Sequence, residues 1–211
     1  MKIIILLILT VFNINGIHAR PVSYPGGWTV MQMNAMNRHQ LHLHYSPTAK
    51  YSIGYKGEYW SDEKIRFNSI QYNRLIKRWN KPEEQANFYW KAGLGTAKIV
   101  QPGFEGSHLS YFTGFAADWE TRRYFTSYEN RYYNFNSYGN FFSQKARIGI
   151  APYIGDYGDL HTWLMLQVDH HPIYEQNFSI TPLLRLFKGA FMFEAGYSNQ
   201  DDYLLNFIIR L

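Results

Sequence analysis

The chain has 211 residues, 18% aromatic and 18% charged, with a formal charge of +5 and no cysteine. That aromatic richness excludes a disordered chain, and the lack of cysteine excludes disulfide staples, thiolate nucleophiles and Cys-based metal sites. Apolar residues make up 46% while mean hydropathy is −0.36, so apolar and polar residues are finely interleaved. The modest positive charge suits an anionic membrane surface and lacks the clustered stripe of a nucleic-acid binder.

At the N-terminus, Lys2 precedes the apolar run Ile3–Phe12, and Gly16-Ile17-His18-Ala19 follows. A short positive segment, an apolar stretch and a small residue form the pattern of a secretory leader, with cleavage after Ala19. The run is too short to cross about 30 Å of hydrocarbon as a helix. Residues 1–19 are therefore read as a signal peptide and 20–211 as a single domain.

From residue 28 onward the pattern has period two. Leu41, Leu43 and Tyr45 alternate with His42 and His44; Tyr51, Ile53, Tyr55 and Tyr59 alternate with Ser52, Gly54, Lys56 and Glu58. Tyr111, Thr113, Phe115, Ala117 and Trp119 continue the pattern, followed by Leu160, Thr162, Leu164, Leu166 and Val168, then Phe178, Ile180, Leu184 and Leu186. Turn residues fall between these runs, at Ser46-Pro47-Thr48, Ser61-Asp62, Asn80-Lys81-Pro82, Gln101-Pro102-Gly103, Gly155-Asp156, Lys188-Gly189 and Asn199-Gln200-Asp201. The expected strands are 28–36, 40–46, 50–60, 64–77, 86–98, 108–121, 123–135, 141–153, 160–170, 176–187, 190–198 and 202–211. This is an all-β chain forming one antiparallel transmembrane barrel of 12 strands, with ten also compatible because the first hairpin is weakly patterned.

Charged residues fall in the register opposite the apolar one: Lys56, Glu58, Asp118, Glu120, Glu129, Arg131, Lys145, Arg147, Arg185, Glu194 and Arg210. On a lipid face at mid-bilayer an Arg or Lys costs about 2–4 kcal/mol, so these residues are expected to face inward. They fit a selective polar pore, or, more plainly, ion pairing that fills a closed lumen. The many Tyr and Trp are accounted for by aromatic girdles at the two interfaces.

The chain ends on Tyr203, Leu205, Phe207, Ile209 and Leu211 alternating with Leu204, Asn206, Ile208 and Arg210. This resembles the C-terminal strand of bacterial outer-membrane β-barrel proteins, whose last residue is usually aromatic; here it is Leu211. The resemblance implies an outer-membrane location, contact with lipid and lipopolysaccharide, and recognition of the last strand by the barrel assembly machinery. No nucleic acid is implied.

Two constellations could carry chemistry. In Met31-Gln32-Met33-Asn34-Ala35-Met36-Asn37-Arg38-His39-Gln40-Leu41-His42-Leu43-His44, a two-residue turn at Asn37-Arg38 pairs Met36 with His39, Met33 with His42 and Met31 with His44. Met31, Met33, His42 and His44 then share the lumen face, and thioether plus imidazole is a soft ligand set that suits copper. The plainer reading is that Met fills irregular space and His lines a polar lumen. His170-His171, in an expected loop at the same end, could add a ligand. The second constellation is His108-Leu109-Ser110, whose His-x-Ser spacing is similar to that of the outer-membrane phospholipase and lipid A deacylase families. Their motif continues with Asn where this chain has Tyr111, and Asp118 and Glu105 are only loose candidates for the orienting residue.

The leading functional expectation is a non-enzymatic outer-membrane barrel, a small pore or surface protein handling a small solute or metal ion. The alternatives are a lipid-modifying enzyme using His108 and Ser110, and a soluble periplasmic barrel holding an apolar ligand, which requires the two faces to be reversed.

Overall fold

The computed structural model describes residues 21–35, 37–103, 106–156, 158–172 and 176–211. The leader expected over 1–19, Met36 and Glu105 lie outside them. The alternating segments form twelve strands: β1 (Gly27–Ala35), β2 (Arg38–Thr48), β3 (Tyr51–Trp60), β4 (Ile65–Asn80), β5 (Glu84–Ile99), β6 (His108–Thr121), β7 (Tyr124–Asn134), β8 (Asn140–Ile150), β9 (His161–His170), β10 (Phe178–Lys188), β11 (Phe191–Tyr197) and β12 (Tyr203–Arg210). Each pairs antiparallel with the next, and β1 pairs with β12 from Thr29↔Arg210 to Asn34↔Leu205, which closes the barrel. Closure satisfies every strand edge, a requirement for backbone placed in hydrocarbon. A short 3-10 turn at Asn136–Tyr138 is the helical element among the described residues, and no helix there is long and apolar enough to cross a membrane.

Three local expectations are corrected. β2 runs on to Thr48, so Ser46-Pro47-Thr48 lies within the strand; the register shifts between Tyr45 and Thr48, and such a bulge tolerates a proline that cannot donate to the ladder. The first hairpin turns one residue earlier than expected, with Ala35 opposite Arg38. His170 belongs to β9, opposite Phe178 and Gln144, rather than to a loop.

Because the strands alternate in direction, the loops sort into two sets. The near end carries both the start of β1 and the end of β12, with the connections from β2 to β3, β4 to β5, β6 to β7, β8 to β9 and β10 to β11; the far end carries those from β1 to β2, β3 to β4, β5 to β6, β7 to β8, β9 to β10 and β11 to β12. The outer face is apolar. Ile53, Ile70, Leu94, Ile148, Leu164, Ile180, Leu184 and Leu205 are all exposed on it. Exposed aromatics gather towards the rims, with Trp28, Trp79, Tyr124 and Tyr153 near one end and Tyr132, Phe142, Tyr197 and Tyr203 near the other. Leucine and isoleucine in the middle with aromatics at both margins match the hydrocarbon core and its two interfaces. An apolar-ligand barrel with its faces reversed is therefore contradicted.

Inside, period two delivers two kinds of residue. Trp60, Ile65, Phe67, Ala97, Phe112, Tyr133, Phe135 and Phe141, from β3 to β8 and the turn after β7, form a buried cluster at the far end. Trp60 meets Tyr133, Phe135 and Phe141 edge-on at ring separations of 4.9, 5.2 and 5.1 Å, the geometry that aromatic quadrupoles favour. Glycines in β5 allow two close approaches, one to this cluster and one to the backbone of β4. A Cβ on Gly93 would stand 2.2 Å from the Phe112 ring, and one on Gly95 would stand 1.9 Å from the Asn68 carbonyl oxygen. The rest of the interior is polar and charged.

Candidate functional site

The lumen holds a cavity of about 250 Å³ whose lining reaches from Asn37, Arg38 and His171 at the far end to Glu120, Phe187 and Pro21 at the near end. Two networks of ion pairs brace its wall. In the first, Lys56 Nζ lies 2.8 Å from Glu58, Tyr133 donates its hydroxyl to Glu58, and Arg131 donates to the Tyr133 hydroxyl. Arg131 also pairs with Glu129, which accepts from Lys91 at 2.9 Å. β3 and β7 are not neighbours in the sheet, so the Tyr133–Glu58 bond ties together two separated parts of the wall from within.

The second network centres on Glu194, 1% exposed. Arg147 and Arg185 reach its Oε1 at 3.0 and 2.7 Å, and Asn206 donates to Oε2 at 2.6 Å. Arg147 also donates to Gln167, which in turn donates to Asp169. Charge-assisted bonds of this kind satisfy groups that a barrel of this size must otherwise leave to lumen water. The inward register expected for Lys56, Glu58, Asp118, Glu120, Glu129, Arg131, Lys145, Arg147, Arg185, Glu194 and Arg210 is what the structure has, since each is buried or lines the cavity.

The near end is partly filled by the segment before β1. The Pro21 carbonyl accepts from Ser52 Oγ at 2.7 Å and from Asn73 Nδ2, and the Ser23 amide donates to Ser46 Oγ at 3.0 Å. Val22, 3% exposed, packs with Tyr89 and Ala116 inside the barrel. At the far end His171, just beyond β9, is buried beside Arg38 and Lys145. Burial first, and then those two cations, hold its imidazole down at about 3, so it is neutral at physiological pH.

The Met/His quartet reaches the lumen in a different register from the one expected. Met31 stands opposite His42, Met33 opposite Gln40, and His44 opposite Thr29. The correction moves the pairing by two residues, and a slip by an even number keeps each side chain on its face. Met31, Met33 and His42 line the cavity, whereas His44 lies fully buried behind it. The two imidazoles are 4.5 Å apart between ring centres. His42 Nε2 and both ring nitrogens of His44 are buried without a hydrogen-bond partner among the described residues.

His108 and Ser110 both point inward on β6, but the Ser110 hydroxyl donates to the His108 carbonyl oxygen at 2.9 Å. The His108 ring instead packs edge-on against Tyr138 at 4.8 Å. The fold thus places the pair on the lumen side of the wall, away from the apolar outer face. His170 is occupied as well, stacked on Phe178 and bonded to Gln144.

Sequence reasoning missed the aromatic cluster, because it assigned the aromatics to the girdles. The signal was present in the parity: Tyr133 and Phe135 follow Arg131 at steps of two, and Phe112 shares the register of Asp118. The inserted segment at 21–24 has no periodic signal and could be found only in three dimensions.

No family model matches the chain, and no curated protein matches it. Among solved structures it is similar to KdgM porin, with a TM-score of 0.51 at 7% identity over 87% of this chain and 97% of that one. A second structure, KdgM porin in complex with disordered oligogalacturonate, gives 0.49 at 9% identity over 87% and 98%. OccK8 (OprE) of Pseudomonas aeruginosa gives 0.43 at 8% identity over 82% and 57%. At such identities the likeness is one of fold. The chain is a closed 12-strand antiparallel barrel with the fold of bacterial outer-membrane β-barrels.

Proposed function

We propose that the protein is exported, inserts in the outer membrane with both termini periplasmic, and lets small polar solutes through its lumen. The observation that carries this reading is the cavity whose polar and charged lining runs from the far rim to the near end. The apolar outer face and its aromatic margins support the membrane placement. The aromatic cluster fills one side of the far end and Pro21–Ser23 part of the near end. On this reading the solute path runs along the remaining wall and is narrow, suited to small solutes rather than oligomers. Liposomes bearing the refolded protein should swell in an isotonic pentose and fail to swell in a trisaccharide. Equal exclusion of both by a correctly folded barrel would refute the pore.

A second reading follows from the unpartnered imidazole nitrogens of His42 and His44 beside Met31. Soft thioether and imidazole donors suit Cu(I), and a lumen site for that ion fits the same barrel. The cations Lys56, Lys91 and Arg131 nearby oppose it electrostatically. Replacing Met31 and His42 together by Ala should abolish stoichiometric copper binding by the refolded protein; binding that survives removes the site.

A further inference from the structure

The middle of the lumen does not balance its charges. Among the described residues seven cations line the cavity, Lys56, Lys91, Arg131 and Lys145 with Arg38, Arg147 and Arg185, against five carboxylates, Asp118, Glu120, Glu129, Asp169 and Glu194, while Glu58 is buried against Lys56. Glu129 serves two cations, Lys91 and Arg131, and Glu194 serves two more, Arg147 and Arg185. Each of these two carboxylates is thus already shared, and the cations lining the cavity outnumber its carboxylates.

Among the described residues that line the cavity, two cations stand outside both networks. Lys145 faces Glu129 on β7 and Asp169 on β9 across the ladders, yet it makes no ion pair or hydrogen bond among the described residues. Glu129 is held by Lys91 and Arg131, and Asp169 accepts from Gln167. Above it, Arg38 lays its guanidinium flat on the Trp60 ring, 3.8 Å from the ring centre. Its Nε and one terminal nitrogen are buried with no acceptor among the described residues, and the residue is only 9% exposed. A stacked guanidinium keeps its in-plane donors available for a carboxylate, which it binds as a fork. Leaving such donors unmet in a buried position is costly, so an acceptor supplied from the cavity would be strongly held. Both cations line the same cavity as His171.

The acidic residues at the far rim do not cancel this. Asp62 and Asp201 are exposed on the turns at 61–64 and 198–202, where salt screens them within about 10 Å, and Glu63 and Asp202 beside them are half-buried but do not line the cavity. Arg38 and Lys145 lie inside the cavity, where screening is weaker.

We propose that Arg38 and Lys145 form an anion-binding site in the far half of the lumen, which takes small carboxylates and makes the passage anion-selective. This rests on the pore reading for its selectivity but not for its binding, and the tests separate the two. In planar bilayers across a KCl gradient, the refolded full chain should show a reversal potential favouring chloride over potassium. Lys145→Gln and Arg38→Gln should each lower that permeability ratio roughly fivefold, the effect of removing about 1 kcal/mol of attraction near 4 Å in a wet lumen. Lys188→Gln, exposed at the near end, should leave it unchanged. Titration calorimetry with succinate should give saturable binding that both lumen variants lose and Lys188→Gln keeps. An open pore that prefers potassium, or selectivity untouched in both variants, overturns selectivity alone. Absence of conductance defeats the pore, and succinate binding then decides the site by itself: binding lost in Lys145→Gln upholds it, and no binding by the folded wild type ends it. Retained heat-modifiability on gels confirms that each variant has folded.

Discussion

Leu184 and Arg185 are neighbours in β10 that face opposite sides of the wall. Leu184 is 38% exposed on the outer face between Leu164 and Ala195, while Arg185 reaches Glu194 inside. Changing Leu184 to Arg sets a second charge one residue away, on the side where no carboxylate waits. Leu184 lies near the middle of a strand spanning Phe178–Lys188, so the new charge would sit close to mid-bilayer. There an arginine costs about 2–4 kcal/mol. This is a loss of roughly 30-fold to several hundredfold in the folding equilibrium. If the outer face met water, the same exchange at an exposed position would stay within about 0.5 kcal/mol. Urea unfolding in phosphatidylcholine vesicles, followed by tryptophan fluorescence and by gel mobility, measures the difference. A Leu184→Arg barrel as stable as wild type would refute the membrane placement of this face.

Three further outcomes follow from the same structure. Glu194→Gln strips Arg147 and Arg185 of their shared counter-charge; because those arginines are 12% and 15% exposed to the lumen, the cost should fall somewhat below the fully buried case, at about 2–3 kcal/mol in urea unfolding, and a loss under about 1 kcal/mol would contradict the network's role. Val22→Asp places a charge in the Tyr89–Ala116 contact and should unseat the 21–24 segment, raising single-channel current; unchanged current would show that the segment does not narrow the passage. His171 has a folded pKa of about 3 against an ordinary 6.5, so the unfolded chain binds more protons between these values: the stability it contributes is complete above pH 6.5 and is lost as pH falls towards 3, a slope that His171→Asn should reduce in unfolding measured from pH 7 to 4.

The barrel was legible in the sequence for a physical reason: an apolar outer face and a polar interior force strict alternation, and parity survives small errors of position. Hence every expected strand has its counterpart, and the inward charges from Lys56 to Arg210 are on the expected face. What parity cannot carry is register. The first hairpin pairs two residues away from the expected register, a slip that leaves every side chain on its face and so leaves no trace in the alternation. Parity also says nothing of what an inward side chain meets across the lumen. Tyr133 touching Glu58, and Arg38 lying on Trp60, depend on which strands the closed ring brings face to face. The same blindness applies to His108 and Ser110: their spacing suggests a catalytic pair, and the strand instead turns the hydroxyl onto a backbone carbonyl.

The central claim is that this charged lumen is an open passage through a membrane, and single-channel recording of the refolded full chain in a planar bilayer tests it most directly. Discrete, reproducible current steps, smaller than those of a wide water-filled porin and absent from protein-free bilayers, are the predicted result. A barrel that shows the gel shift of a folded membrane protein and inserts into the bilayer, yet carries no current, would contradict it and would make the ion-pair networks the packing of a closed barrel.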